Sequence, residues 1–225
     1  GQRLSLDPEQ AFDKIVRKGR GGWCYEVNGL LGWMLELAGF RITRMAAGVA
    51  RDRIGDPAVG NHLALLVHLD RPYLADAGLG SGLVEPVPLR GGDIEQFGRK
   101  FKLEPLDHGW WRFHNHPDSV PPTFDFHPDV IDETLLQDRC QWLQLDPASP
   151  FWQMPIVQRY RSGILHSLIG NSGSRYLDSG IDKISITRPE DYADYLYRFF
   201  DITIPDIDRI WHLVGAEPSS KEASP

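Results

Sequence analysis

The segment best suited to covalent chemistry is residues 20 to 26, with the sequence RGGWCYE. Apolar residues recur with helical spacing over residues 30 to 38, which places Cys24 in the first turn of a helix. The free N–H groups at a helix start carry partial positive charge, which favours a thiolate and suits an oxyanion. Two interpretations of Cys24 are open from this pattern: a nucleophile, or a small buried apolar side chain.

A second pair of candidate groups, His62 and Asp76, lies on two strand-like runs joined by a tight turn. If the turn is the three residues 69 to 71, His68 pairs with Pro72, and His62 then lies diagonal to Asp76 on the same face. An even-numbered turn would place the two side chains on opposite faces. The alternative for an isolated His and Asp in a hairpin is a surface ion pair.

These residues are of the types that form a catalytic triad. In it, Asp76 would orient His62, and His62 would hold Cys24 as a thiolate. The glycine-rich residues 77 to 82, with the sequence AGLGSG, follow directly and predict a turn whose backbone amides approach a phosphate or thioester.

Other candidate residues favour structural roles. Cys140 lies in an apolar run and is expected to be buried and inert. Glu26 and Asn28 are expected to tie the first helical turn to the surrounding chain. No Cys or carboxylate pattern completes a metal site around the histidines, so we expect no bound metal. The histidines considered are His114, His116 and His127.

Composition excludes several classes of function. The 225 residues carry 24 Lys and Arg against 31 Asp and Glu, a net charge of -7, and no basic cluster, which argues against a nucleic-acid partner. No apolar run approaches the roughly 18 residues of a membrane span, and we expect no membrane partner. Two cysteines without a secretory signal indicate reduced thiols and a cytoplasmic protein.

The order of predicted elements is helices, then strands, then helices, which favours an α+β fold over a doubly wound parallel sheet. Helices are predicted at 8–16, with Asp7 as N-cap, and at 24–38, 130–143, 189–200 and 205–213. The proline-rich residues 117–128 predict an irregular connection, and residues 217–225 a polar tail. Strands are predicted at 41–50, 62–69, 73–77, 103–106, 109–113, 155–160, 163–169 and 183–186.

Several motifs together resemble the arylamine N-acetyltransferases, which use a Cys-His-Asp triad in this chain order. They are RGGWCYEVN at 20–28, AGF at 38–40, the His62 strand, and LADAGLG at 74–80. The resemblance spans nearly the whole chain. Its supporting segments are SPF at 149–151, VQR at 157–159, LIGN at 168–171, the helix at 192–200 and IPD at 204–206.

The resemblance implies an α+β fold in three domains. These are a cysteine-protease-like helical segment carrying Cys24 at 1–40, a central antiparallel β-barrel at 41–145, and a C-terminal α/β lid at 146–225. The family places further helical chain before the Arg-Gly-Gly motif, whereas 19 residues precede Arg20 here. We therefore expect an N-terminally shortened member whose helical segment is incomplete.

The same resemblance implies a ping-pong acetyl transfer of the kind used in xenobiotic metabolism. Cys24 would take the acetyl group from acetyl-CoA and pass it to an arylamine, hydrazine or arylhydroxylamine, with His62 as base and Asp76 as orienting residue. Acetyl-CoA would be the co-substrate, and the protein a monomer or homo-oligomer.

The resemblance also implies contacts around the triad. Gly80 and Ser81 would lie at the CoA pyrophosphate, and Phe151 in the pocket wall beside the cofactor. Trp23 and Leu79 would lie near the acceptor. Many family members carry an aromatic residue where Leu79 stands, so the acceptor preference is expected to be shifted.

Three other functions are compatible with these residues. One is an amide synthase of the same fold that acts on a carrier-bound acyl chain with the same triad. Another is a Cys-dependent hydrolase or transglutaminase-like protein, distinguished by whether water or an amine resolves the acyl-enzyme. The third is an inactive member that binds an acyl-CoA or a small aromatic compound without turnover.

Overall fold

The computed structural model describes residues 4–177 and 179–214, so the predicted polar tail at 217–225 lies outside the described residues. The chain divides into two compact units, Gly1–Leu145 and Asp146–Pro225. Within the described residues, no helix combines the length and apolar character needed to cross a membrane.

The first unit opens with helices. Helix α1 (Pro8–Phe12) begins as predicted at Asp7, whose carboxylate accepts the Glu9 N–H at 2.9 Å. The chain then widens into a π-helical turn, Asp13–Arg17. Helix α2 (Cys24–Leu37) follows, and Gly39 at φ +90° ends it. Two further α-helices are described in this unit, α3 (Arg51–Ile54) and α4 (Glu133–Leu145).

Eight antiparallel strands of the first unit form one curled sheet in the order β4-β3-β2-β1-β8-β7-β6-β5. Among the described strands, β4 and β5 are the two edges, so the antiparallel sheet is curled but open, a half-barrel where the sequence predicts a β-barrel. The strands are β1 (Arg41–Val49), β2 (His62–His68), β3 (Pro72–Ala75), β4 (Val87–Pro88), β5 (Gly92–Gln96), β6 (Arg99–Pro105), β7 (Trp111–His114) and β8 (Thr123–Phe126).

Strand β2 is buried on both faces. Its even-numbered residues Ala64 and Leu66 pack into a core cluster with the aromatic side chains of β6 to β8. Its odd-numbered residues Leu63 and Leu65 pack into a second cluster with Tyr25 of α2. Because side chains alternate along a strand, His62 faces the first cluster, where its ring lies 5.1 Å from that of Phe124.

The second unit contains a four-stranded antiparallel sheet in the order β12-β11-β10-β9. Helix α6 begins as predicted at Pro189, and its residues Tyr192, Leu196 and Phe200 pack against Leu168 of the sheet. The elements are α5 (Pro150–Gln153), β9 (Ile156–Arg161), β10 (Ile164–Ile169), β11 (Ser172–Leu177), β12 (Gly180–Ser185), α6 (Pro189–Phe200) and α7 (Ile207–Val214).

Candidate active site

Cys24 is the first residue of α2, as its sequence context predicts. The preceding residue Trp23 is extended, and its N–H donates to Glu26 Oε2 at 3.1 Å, which caps the helix from within its first turn. The buried Glu26 carboxylate is paired in turn with Lys14 Nζ at 2.7 Å. The start of the helix that carries the thiol is therefore fixed by an ion pair, a feature that sequence analysis missed.

The hairpin places His62 and Asp76 together. The observed register pairs His68 with Pro72, so the prediction of a three-residue turn is confirmed. His62 Nε2 lies 2.7 Å from Asp76 Oδ2, and the two side chains are 2% and 1% exposed. The pair is thus deeply buried, unlike the surface pair that was the alternative.

His62 also contacts Cys24. Burial lowers the pKa of His62, but the charges of Asp76 and Cys24, and hydrogen bonds from the ring to both side chains, raise it to about 10. Because Asp76 occupies Nε2, the ring nitrogen that remains for the Cys24 sulfur is Nδ1. The arrangement therefore holds the His62 imidazolium between the Asp76 carboxylate and the Cys24 sulfur at neutral pH.

The Asp76 carboxylate is held ionised. Burial raises its pKa, but the His62 charge and hydrogen bonds from His62, Asn28 and the Gly78 backbone outweigh burial and lower it. Oδ1 accepts from the backbone N–H groups of Gly78 at 2.9 Å and Leu79 at 3.1 Å. Two amides of the glycine-rich turn are thus directed at Asp76.

Asn28 joins the elements of the site. It lies one turn after Cys24 on α2 and is fully buried. Its Nδ2 donates to the carbonyl of Leu63 at 2.6 Å and to Asp76 Oδ1 at 2.7 Å, and its Oδ1 accepts from the Ala77 N–H at 2.8 Å. The expectation that Asn28 ties the first turn to the surrounding chain is confirmed, although its partners were not predicted.

Gly78 lies directly against the nucleophile. A Cβ atom at this position would lie 2.6 Å from Cys24 Cα and 2.7 Å from Asn28 Nδ2, closer than real Cβ contacts. Its φ is not in the left-handed region, so the requirement for glycine is one of space. The glycine-rich turn thus brings the Asp76 loop into contact with the start of α2.

The residues predicted to contact the cofactor or the acceptor differ in how deeply they are buried. Gly80 and Trp23 are half-buried, whereas Leu79 is buried in the core of the half-barrel. Ser81 is fully buried, and its hydroxyl donates to the carbonyl of Val120 and accepts from an Asn115 amide N–H, each at 3.1 Å. The Ser81 side chain therefore supports its loop in this structure.

Phe151 belongs to the second unit. It lies in α5 with its side chain exposed, and its N–H donates to the N-cap hydroxyl of Ser149 at 3.2 Å. It is described only within that unit, and its predicted place in a pocket wall stays a prediction.

The remaining candidates serve the scaffold. His114 pairs with Glu104 at 2.6 Å, and His127 lies 3.1 Å from the carbonyl of His108. Among the described residues, no three or more His, Cys, Asp or Glu side chains are grouped so that they could hold a metal ion. Cys140 is buried, as predicted, and burial raises the pKa of its thiol to about 12.

Comparison with known proteins identifies the family. A sequence model described as N-acetyltransferase matches residues 1–209. Arylamine N-acetyltransferase 1 of Oryctolagus cuniculus is 31% identical over 194 residues, covering 76% of this chain and 66% of the relative. Arylamine N-acetyltransferase 2 of Mesocricetus auratus is 28% identical over 233 residues, covering 91% of this chain and 80% of the relative. The chain thus spans slightly less than two thirds of the first of these relatives.

A solved structure has the same fold. The structure of Mycobacterium marinum arylamine N-acetyltransferase in complex with CoA superimposes with a TM-score of 0.81 at 23% identity. The match covers 93% of this chain and 80% of the other, and it includes the mixture of helices and a curled antiparallel sheet. The chain belongs to the arylamine N-acetyltransferase family, whose members are acyltransferases.

Proposed function

We propose that this chain transfers an acetyl group from acetyl-CoA to an arylamine, hydrazine or arylhydroxylamine by a ping-pong mechanism. The observation that carries the proposal is the contact of Cys24 with His62 and of His62 with Asp76. A thiol at a helix start facing an oriented imidazole is also the arrangement of Cys-His proteases. The family match and the CoA complex of a relative support acetyl-CoA as the donor.

In the first half-reaction, the Cys24 thiolate attacks the thioester carbonyl of acetyl-CoA. The new C–S bond forms as the bond between the acetyl carbon and the CoA sulfur breaks, and His62 gives its proton to the departing CoA thiolate. One thioester replaces another, so this step is nearly balanced in energy. Asp76 keeps the imidazole oriented and stabilises its cationic form.

In the second half-reaction, the amine attacks the acetyl group on Cys24. His62, now neutral, accepts the proton that the amine nitrogen loses, and the Cys24 thiolate leaves. An arylamine is a weak base and is mostly unprotonated at neutral pH, so a single proton acceptor suffices. The products are the N-acetylated amine and the original ion pair of Cys24 and His62.

The start of α2 supplies electrostatic assistance. The N–H groups of Glu26 and Val27 bond back to the Trp23 carbonyl at 3.0 and 2.9 Å, whereas those of Cys24 and Tyr25 lie at the first two helical positions, where no carbonyl of the helix can accept them. In our proposal, the Cys24 N–H helps to stabilise the oxyanion that forms when the carbonyl is attacked.

Contacts outside the triad complete the proposal. Gly78 lies against Cys24, and Gly80 follows it by two residues. The loop that contains Gly80 is therefore at the same end of the half-barrel as Cys24. We propose that Gly80 approaches the CoA pyrophosphate and that Ser81 holds this loop in place. Trp23 and Leu79 would border the acceptor.

Steady-state kinetics with acetyl-CoA and an arylamine test this function, with the acetylated arylamine measured by chromatography. We expect parallel double-reciprocal lines, loss of product in Cys24→Ser, and unchanged turnover in the thiol control Cys140→Ala. Wild-type turnover in Cys24→Ser would contradict the proposal. Acylation of Cys24 by a carrier-bound acyl thioester, but not by acetyl-CoA, would favour the amide synthase.

A further inference from the structure

Lys14 and Glu26 form an ion pair beside the start of the helix that carries Cys24. Lys14 Nζ lies 2.8 and 2.7 Å from the two carboxylate oxygens of Glu26. Their side chains are 16% and 2% exposed, so the carboxylate has almost no access to water. Lys14 belongs to the π-helical turn Asp13–Arg17, and such turns recur at functional sites.

The Glu26 carboxylate acts on the backbone as well as on Lys14. Its Oε2 accepts the Trp23 N–H at 3.1 Å, so it fixes the residue immediately before the nucleophile. A buried carboxylate is stable only when its charge is compensated. Loss of the Lys14 ammonium would leave a negative charge two residues along the helix from Cys24.

The charges that face this region come from several elements. The Asp76 carboxylate, which follows β3, forms an ion pair with His62 of β2, and the Glu26 carboxylate forms one with Lys14. Tyr25 lies on the same helix as Cys24, and the nearby groups on α4 are Arg139 and Cys140.

The electrostatic fields of Cys24 and Glu26 both reach the Cys140 thiol. Burial is the main cause of the raised pKa of Cys140, and the charges of Cys24 and Glu26 raise it further. Both groups therefore act within one region, where an uncompensated Glu26 would oppose a thiolate at Cys24.

We propose that Lys14 is a positioning residue for the transfer, which acts through Glu26 to fix the backbone before Cys24 and to cancel a negative charge that would otherwise oppose the Cys24 thiolate. The inference deepens the proposed function, because it takes Cys24 as the nucleophile. Its test needs neither acetyl-CoA nor an amine, so the inference about Lys14 and the proposed acetyl transfer can fail separately.

The test measures alkylation of Cys24 by iodoacetamide as a function of pH, followed by mass spectrometry, with Cys24→Ala identifying any reaction at Cys140. The alkylation rate of Cys24 should rise with pH. In Lys14→Met, we expect this rise to occur at higher pH than in the wild type, and the alkylation rate at neutral pH to fall about three- to tenfold. In Glu26→Gln, we expect the rise to move to lower pH, because the ammonium is then uncompensated. Opposite shifts distinguish an electrostatic role from a structural one.

Three further variants complete the design. Lys14→Arg and the double variant Lys14→Met/Glu26→Gln should both return close to the wild-type profile. Lys18→Met serves as the matched control, because Lys18 pairs with Asp13 on an exposed part of the same segment. Its profile should match that of the wild type.

An unchanged profile in folded Lys14→Met, or shifts in the same direction in both single variants, would overturn the inference. If Lys14→Met does not fold, Glu26→Gln decides: a shift to lower pH supports the inference, and no shift overturns it. Opposite shifts in a chain that transfers no acetyl group would support this inference and contradict the proposed function.

Discussion

Asn28 Nδ2 donates a 2.7 Å hydrogen bond to Asp76 Oδ1, and this bond joins the helix that carries Cys24 to the loop that follows β3. The same amide nitrogen donates to the carbonyl of Leu63, the neighbour of His62. One buried side chain therefore links all three segments that supply the triad. Relative movement of any one segment would disrupt its hydrogen bonds.

We predict that Asn28→Ala destabilises the protein and slows acetylation of Cys24. The substitution leaves the buried Leu63 carbonyl without this partner, at a cost of about 1 to 3 kcal/mol, and also removes the hydrogen bonds to Asp76 and to the Ala77 N–H. Urea unfolding measures the first effect, and the rate of acetylation by acetyl-CoA measures the second. Asn61→Ala is the control, because Asn61 makes two hydrogen bonds to the Val49 backbone instead. An acetylation rate equal to that of Asn61→Ala would contradict a positioning role.

Gly78→Ala is predicted to reduce Cys24 acetylation by at least about tenfold, because the methyl group forces the Asp76 loop away from Cys24 Cα. Gly21→Ala is the matched control, since a Cβ at Gly21 meets no heavy atom within 4 Å and the residue has no positive φ. We expect its rate to match the wild type. Equal rates in the two variants would show that the loop tolerates the displacement.

The stability of the fold should fall with rising pH through His62. The pKa of this group is raised from 6.5 to about 10, so its contribution is fully present below 6.5 and is lost as pH rises through 10. The loss is at most about 1.4 kcal/mol per pH unit. In His62→Gln, the slope of unfolding free energy against pH should flatten over this range. His68→Gln should keep the wild-type slope over this range. The pKa of His68 is lowered, mainly by burial, so this residue loses its proton below pH 6.5. Identical slopes in all three proteins would contradict the buried ion pair.

The sequence predicted the central geometry where local rules apply. The three-residue turn after His68 sets the strand register, and the register decides that His62 and Asp76 share a face. The N-cap at Asp7 and the starts of α2 and α6 were likewise predicted from residue types at known positions. These features depend on a few neighbouring residues, which a sequence displays directly.

Features that depend on distant partners were missed. Strand β8 lies within a proline-rich segment that predicts an irregular connection, yet its four residues are all buried between β1 and β7. Strands β4, β5 and β11 were missed too, because their partners rather than their own patterns define them. Lys14 was not identified, since the π-helical turn alters which face of the segment it occupies.

The central claim, that Cys24 carries the acetyl group between donor and acceptor, is tested most directly by mass spectrometry of the intact protein. We predict that brief exposure to acetyl-CoA adds one acetyl group, that peptide mapping places it on Cys24, and that addition of an arylamine removes it with formation of the acetylated amine. Cys24→Ser should gain no acetyl group under the same conditions. A folded protein whose Cys24 stays unmodified by acetyl-CoA, or whose acetyl group is not discharged by any amine, would contradict the account.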